Sequence, residues 1–272
     1  MEVDILSKYK KAMVASLSKT FDKHEAQSIT DYYFDGKVVL EDSLSEIKIE
    51  EDINRINSGE PIQYVTGLSF FYGYHFLLNH QVLIPRPETE ELVYWIEKDC
   101  KPKHGLDILD IGCGSGCILL SLMLKLNAAK GTGWDISEDA LKNTEENASK
   151  YNLDVSLEKF DVLNDDMNSL RNKYDVVVCN PPYILKSEVD RMGENVVRYE
   201  PHEALFVDDA NPLIFYQKVI SNLPNLLSQN GCAYFETSDL YHESMELFLK
   251  DTDYKFEFKK DMQGNWRMLK VW

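Results

Sequence analysis

Residues 106–135 read LDILDIGCGSGCILLSLMLKLNAAKGTGWD, and this stretch decides the fold. LDILDI (106–111) is a short apolar run, as a strand buried on both faces requires, and CILLSLMLKL (117–126) is a helix with an apolar face. GTGWDI (131–136) is a second strand. The alternation continues downstream through the helix SEDALKNTEENASKY (137–151) and the strands VSLEKF (155–160) and YDVVVCN (174–180). A helix from about Pro212 to Leu227, the strand GCAYFET (231–237), a further helix and the strands YKFEFKK (254–260) and WRMLKVW (266–272) follow. Repeated strand–helix units predict a parallel sheet with helices on both faces. The last two strands have no helix between them and are expected as an antiparallel pair at the sheet's edge. The expected class is therefore α/β, a Rossmann-like, seven-stranded variant of the doubly wound fold.

Upstream the pattern is helical. Val3, Leu6, Tyr9, Met13 and Leu17 recur at spacings of three and four, the signature of one buried helical face. Asp22 reads as the N-cap of a second helix running to Phe34 and stopping at Gly36. A third helix carries Ile49, Ile53 and Ile56 and ends at Gly59. Residues 1–60 are thus expected as a small helical bundle, and 61–87 as a connector with a β-hairpin turning at Gly73. The main domain is expected over 88–272 and opens on a helix with Pro87 in its first turn, where Glu88 and Glu90 favour the positive end of the dipole.

A chain of 272 residues, 44% hydrophobic and 28% charged, is an ordinary globular protein with a sizeable core. No apolar run reaches the roughly 18 residues of a membrane span, and MEVDILSKYKKAM lacks a signal-peptide pattern, so a soluble cytoplasmic protein is expected. Acids outnumber bases 46 to 29, a net charge of −17, which weighs against direct nucleic-acid binding and favours a protein partner. Cys100, Cys113, Cys117, Cys179 and Cys232 are odd in number and mostly far apart, so buried free thiols are expected rather than a disulfide framework. His24, His75, His80, His104, His202 and His242 form no HExxH-like pair, and no metal site is expected.

Three strand ends carry the candidate ligand site. Gly112-Cys113-Gly114-Ser115-Gly116 follows the first strand; its glycines let the backbone approach a ligand at the carboxyl edge of the sheet. The spacing is GxGxG, distinct from the dinucleotide GxGxxG. Asp135 closes the next strand about 20 residues on and can accept both ribose hydroxyls of a nucleoside; its alternative role is a helix cap, which Ser137 can serve. Asp161 closes the third and can meet an adenine amino group, with Val162 offering its backbone N–H to the ring. Since no phosphate-binding lysine accompanies this adenosine pocket, S-adenosylmethionine, leaving S-adenosylhomocysteine, fits better than a nucleoside triphosphate.

Asn180-Pro181-Pro182-Tyr183 follows the strand DVVVC. An amide or exocyclic amine is a poor nucleophile because its lone pair is delocalised. Its methylation needs acceptors that hold both N–H groups and aim the lone pair at the methyl carbon. The Asn180 side-chain oxygen and the Pro181 carbonyl can supply them, with Pro181 and Pro182 fixing the backbone between. Tyr183 can cover the planar face of the substrate. No strong general base is required, because the nitrogen sheds its proton readily once alkylated.

With these residues the sequence resembles the glutamine-N5 methyltransferases of the HemK/PrmC family, which modify peptide-chain release factors. The resemblance runs through GEPIQYVTG (59–67), VLIPRPETEELV (82–93), DIGCGSGCI (110–118), NPPYI (180–184) and VRYEPHEALF (197–206). It implies methylation of the glutamine in the Gly-Gly-Gln loop of class I release factors, seated between Asn180 and Tyr183. It also implies cofactor contacts from Gly112 to Gly116, Asp135, Val162 and Asn180, and a docking role for the helical bundle. Two segments depart from the family's pattern: TSDLYHES (237–244) and GNWRM (264–268). A monomer is expected. The alternatives are a glutamine methyltransferase acting on a ribosomal protein and an adenine-N6 methyltransferase acting on nucleic acid.

Overall fold

The computed structural model describes every residue except 1, 42–44, 79–81, 102, 127, 129 and 168–172, together with the side chains of residues 2–5. Val3, expected on the buried face of the first helix, and His80 have side chains outside the described residues. The chain forms two units: Met1–Leu68 with Gly193–Tyr199, and Ser69–Met192 with Glu200–Trp272. The helical unit therefore runs past the expected end at residue 60 and takes in a short segment from far along the chain.

In that unit α1 (Glu2–Leu17), α2 (Lys23–Val39), α3 (Glu46–Asn57) and the short α4 (Ile62–Thr66) surround a core of Met13, Leu17, Tyr33, Phe34, Ile49, Ile53 and Ile56. Leu6 and Tyr9 pack against its edge. Asp22 caps α2 by accepting the N–H groups of His24 and Glu25 at 2.8 and 2.9 Å. Gly36, expected to stop this helix, lies inside it. Its φ is not positive, and a Cβ there would sit 3.6 Å from Thr66 Cβ, ordinary contact, so nothing in its conformation ends the helix. The next residue, Lys37, is buried with its Nζ 3.9 Å from Asp52 of α3.

The second unit opens with a hairpin, β1 (Leu68–Phe71) and β2 (Tyr74–Leu77). Its two turn residues, Tyr72 and Gly73, both have positive φ, 50° and 85°, as a two-residue hairpin loop matching strand twist requires. There follow α5 (Pro87–Cys100), β3 (Asp107–Ile111), α6 (Cys117–Leu126), β4 (Lys130–Asp135), α7 (Glu138–Lys150), β5 (Val155–Lys159), β6 (Tyr174–Cys179) and β7 (Ile184–Leu185). After α8 (Glu194–Tyr199), which belongs to the helical unit, come α9 (His202–Leu205), β8 (Phe206–Val207), α10 (Ile214–Leu226), β9 (Leu227–Glu236), α11 (His242–Lys250), β10 (Phe256–Lys260) and β11 (Trp266–Val271). Seven strands form one sheet in the order β10-β11-β9-β6-β3-β4-β5. Pairs from β9 to β5 are parallel; β11 runs antiparallel to both β9 and β10, which leaves β10 at the edge as expected.

Both faces of the sheet are covered. Val176 and Val178 of β6 join one core with Ile108, Leu119 and Tyr234, while Val177 joins the other with Leu109, Val219 and Phe235. That is why the strand sequence VVVC (176–179) is continuously apolar rather than alternating. The chain builds outward from β3 through β4 to β5, then returns to β3's other side as β6. The order reverses between β3 and β6, the place where open α/β sheets bind ligands.

Candidate active site

The carboxyl ends of β3, β4 and β6 open into a cleft of about 350 Å³, within the range of small-molecule pockets. Gly112, Gly114 and Gly116 have φ of 76°, 56° and 78°, a region unfavourable to any side chain. The loop is pinned to β4 by Gly112 N–H and Cys113 N–H, which donate to the Trp134 carbonyl at 2.8 and 3.0 Å. Gly112 and Gly114 line the cleft, and a Cβ on either would stand in open space a ligand could otherwise use. Gly116 faces the other way, where a Cβ would lie 2.9 Å from Thr144 Cγ2. Cys113, Ser115 and Gly116, expected at the cofactor, do not line the cleft. The Cys113 thiol is buried beside the Thr144 hydroxyl, and the Ser115 carbonyl accepts from Asn147 Nδ2 at 2.9 Å. They shape the loop from behind.

Asp135 lines the cleft and accepts two backbone N–H groups, Gly114 at 2.9 Å on Oδ2 and Ser137 at 2.9 Å on Oδ1. Burial pushes its carboxyl up, against the pull of those two donors. The Ser137 hydroxyl caps α7, accepting Ala140 N–H at 3.4 Å, so Asp135 is not needed as the cap. A carboxylate has about four lone-pair sites, and Asp135 keeps about two of them for a ligand. Asp161 is held differently. Its oxygens accept from Leu163 N at 2.9 Å, Asn164 N at 3.2 Å and Asn164 Nδ2 at 2.7 Å, which leaves about one site. The Asn164 amide holds its carboxyl below the usual value. Val162 also lines the cleft, and its N–H has no partner among the described residues.

β6 brings the remaining wall. Ile111 pairs with Cys179 and Cys179 with Phe235, so the residues that follow, Gly112, Asn180 and Glu236, emerge side by side. Asn180, Pro181 and Pro182 line the cleft. Asn180 Nδ2 donates to Glu236 Oε2 at 3.1 Å and reaches Thr89 Oγ1 at 3.4 Å; the Thr89 hydroxyl donates to the same Oε2 at 2.6 Å. Tyr183 is not among the lining residues. Its hydroxyl donates to Glu236 Oε1 at 3.1 Å, and burial with the nearby Glu236 charge pushes the phenol up. The cleft thus brings together the glycine loop, the Asp135 carboxylate and the Asn180-Pro181-Pro182 turn.

Residues 102–269 match the family model of a methyltransferase domain. The chain is 37% identical over 284 aligned residues to the release factor glutamine methyltransferase of Flavobacterium psychrophilum, covering 98% of this chain and 99% of that protein. It is 38% identical to the release factor glutamine methyltransferase of Bacteroides thetaiotaomicron, covering 86% of this chain and 84% of that one. The chain belongs to the release factor glutamine methyltransferases. The solved structure of a ribosomal protein L11 methylase from Lactobacillus delbrueckii subsp. bulgaricus matches with a TM-score of 0.51 at 21% identity, over 70% of this chain and 80% of that one, a likeness of fold.

As a member of this family the enzyme uses S-adenosylmethionine as methyl donor, and the open faces of Gly112 and Gly114 fit a ligand that lies close against the loop. Three groups behind the cleft were given no role by the sequence reading, although Asp110 stands in its first motif, Asp110 to Gly116. Asp110 is fully buried behind the loop; Oδ2 accepts Leu119 N–H at 3.2 Å, Oδ1 has no partner among the described residues, and burial pushes the carboxyl up to about 7. Thr89 lies inside the proline-turn motif that was singled out for its prolines, and Glu236 closes a strand read only as a strand. The available signal was positional: like Asp135, Glu236 is an acid ending an apolar parallel strand. Among the described residues no three His, Cys, Asp or Glu side chains gather as metal ligands, and no helix is long and apolar enough to cross a membrane.

Proposed function

We propose that this enzyme transfers a methyl group to the side-chain amide nitrogen (N5) of the glutamine in the Gly-Gly-Gln loop of class I peptide chain release factors. The observation that carries the reading is that Asn180, Pro181 and Pro182 line one cleft with Gly112, Gly114 and Asp135. S-adenosylmethionine supplies, when bound, an electrophilic methyl group on a sulfonium. Asp135 would hold the ribose hydroxyls through its remaining acceptor sites, the Val162 N–H would meet the adenine ring, and Asp161 would accept from the adenine amino group. Asn180 Oδ1 and the Pro181 carbonyl accept the two N–H groups of the glutamine amide and hold its plane edge-on, so that the nitrogen lone pair is aimed rather than merely near. The amide proton becomes strongly acidic on alkylation and leaves to water without a dedicated base.

The helical unit serves in this reading to grip the release factor. A net charge of −17 supports a protein substrate without direct nucleic-acid contact, and the enzyme acts as a cytoplasmic monomer. Peptide mass spectrometry on a class I release factor incubated with the enzyme and S-adenosylmethionine tests the reaction. A single methyl gain localised to the glutamine of the Gly-Gly-Gln peptide is expected. An unmodified peptide, with cofactor binding verified by calorimetry, would overturn the substrate and turn attention to ribosomal proteins and then nucleic acid.

A further inference from the structure

The Asn180 side chain has two unlike ends, and only one serves an amide substrate. With Oδ1 toward the cleft it accepts a substrate N–H; turned over, it presents Nδ2, and donor meets donor. Asparagine has no intrinsic preference between the two, so its neighbours must choose. An ionised carboxylate only accepts hydrogen bonds, and Glu236, 2% exposed, places Oε2 at 3.1 Å from Asn180 Nδ2. The Thr89 proton is committed to Glu236 at 2.6 Å, so the hydroxyl faces Nδ2 with a lone pair at 3.4 Å. Two acceptors therefore meet the nitrogen end of Asn180. Turning the amide over would set Oδ1 against a buried carboxylate oxygen.

We propose that Glu236 is the positioning residue for methyl transfer: ionised, it holds Asn180 with Oδ1 toward the substrate amide, and through its other oxygen it holds the Tyr183 hydroxyl. The proposal rests on the reading of Asn180 as the amide acceptor. It also predicts a pH dependence, because a protonated Glu236 must donate one hydrogen bond and can no longer accept from all three neighbours. The groups facing it are Thr89 and Glu88 of α5, Cys117 of α6, Tyr183 after β6 and Arg267 of β11, with Tyr216 of α10 donating to its main-chain carbonyl at 3.0 Å. Burial, the largest influence, and Glu88 raise the carboxyl; Thr89, Tyr183 and Arg267 oppose them, and the balance lies above the ordinary value. Turnover should fall as pH drops through that point.

Glu236→Gln preserves shape and replaces an acceptor with a donor. Wild type and variant are compared on one release factor preparation, with cofactor affinity measured by calorimetry. The expected result is a kcat lower by about 10²-fold, the scale of losing one preorganised polar contact to the reacting group. Cofactor affinity should stay within about twofold, and the acidic limb of the kcat–pH profile should disappear. A variant kcat within about twofold of wild type, or an acidic limb that persists unchanged, overturns the proposal. Wild-type enzyme inactive on the release factor overturns the functional reading and this proposal with it, so the two failures are told apart. Should Glu236→Gln not fold, Thr89→Val removes one donor to the carboxylate. Its acidic limb should then move to higher pH, and an unmoved limb overturns the proposal.

Discussion

Asp52 in the helical unit and Glu236 in the sheet unit are both carboxylates withdrawn from water, and the protein surrounds them in opposite ways. Asp52 accepts from the Tyr33 hydroxyl at 2.8 Å and is ringed by cations, with Arg55 at 3.3 Å, Lys48 at 3.5 Å and Lys37 at 3.9 Å. Glu236 receives its hydrogen bonds from Thr89, Asn180 and Tyr183, none of them cationic, while Arg267 is engaged with Asp261 at 3.2 Å. Cations cancel the charge of Asp52 and tie α2 to α3. Neutral donors leave the charge of Glu236 in place and are themselves oriented by it. Burial alone does not distinguish these two carboxylates; the nature of their donors does.

The largest effect should come from the oriented partner. Asn180→Ala is expected to reduce turnover on a release factor by about 10³-fold or more, comparable to deleting a preorganised contact to the reacting group, with a cooperative thermal transition retained and its midpoint lowered only modestly by the donor lost to Glu236. Near-normal turnover would remove Asn180 from its role and dissolve the contrast with Asp52. Next in size, Asp52→Ala should cost about 3 kcal/mol of stability in denaturant unfolding, the low end for breaking a buried ion pair. The low end applies because Lys48 and Arg55 are 48% and 38% exposed and can turn to water. Cofactor affinity should survive this change while methylation of an intact release factor falls; a loss of cofactor affinity instead would show that the helical unit does more than grip the substrate.

The same contrast separates the two acids that face the cofactor cleft. Asp135→Ala should weaken cofactor binding by about 1–3 kcal/mol, the cost of stranding buried partners of a charged acceptor, measured by calorimetry. The smallest effect is expected from Asp161→Ala, about 1 kcal/mol and less than at Asp135, because one free acceptor site rather than two is at stake. Equal losses at both positions would mean that the number of free acceptor sites does not set their contributions.

Much of this was legible in the sequence. The glycine loop, the alternation of strands and helices and the terminal antiparallel pair were all readable, because each rests on periodicity or backbone freedom within a few residues. Gly73 was placed in its turn for the same reason. Gly36 was misread because glycine permits a helix end without demanding one, and the helix continues through it to Val39. Strand β9 begins at Leu227, four residues before the expected start at Gly231, since LSQN carries no apolar pattern and is drawn in by pairing of Leu227 with Tyr174. The inclusion of Gly193–Tyr199 in the helical unit had no local signal at all.

By itself, then, the sequence determined the class of fold, the cofactor loop and the Asn-Pro-Pro-Tyr turn, for their information lies in short-range sterics and the spacing of apolar residues. Only the tertiary structure decided which groups hold Asn180. Thr89 is 91 positions away from it and Glu236 is 56, separations over which no periodicity carries. Parallel pairing brings them together: Cys179 stands opposite Phe235 in the sheet, and the residue after each must therefore share the same edge of the cleft.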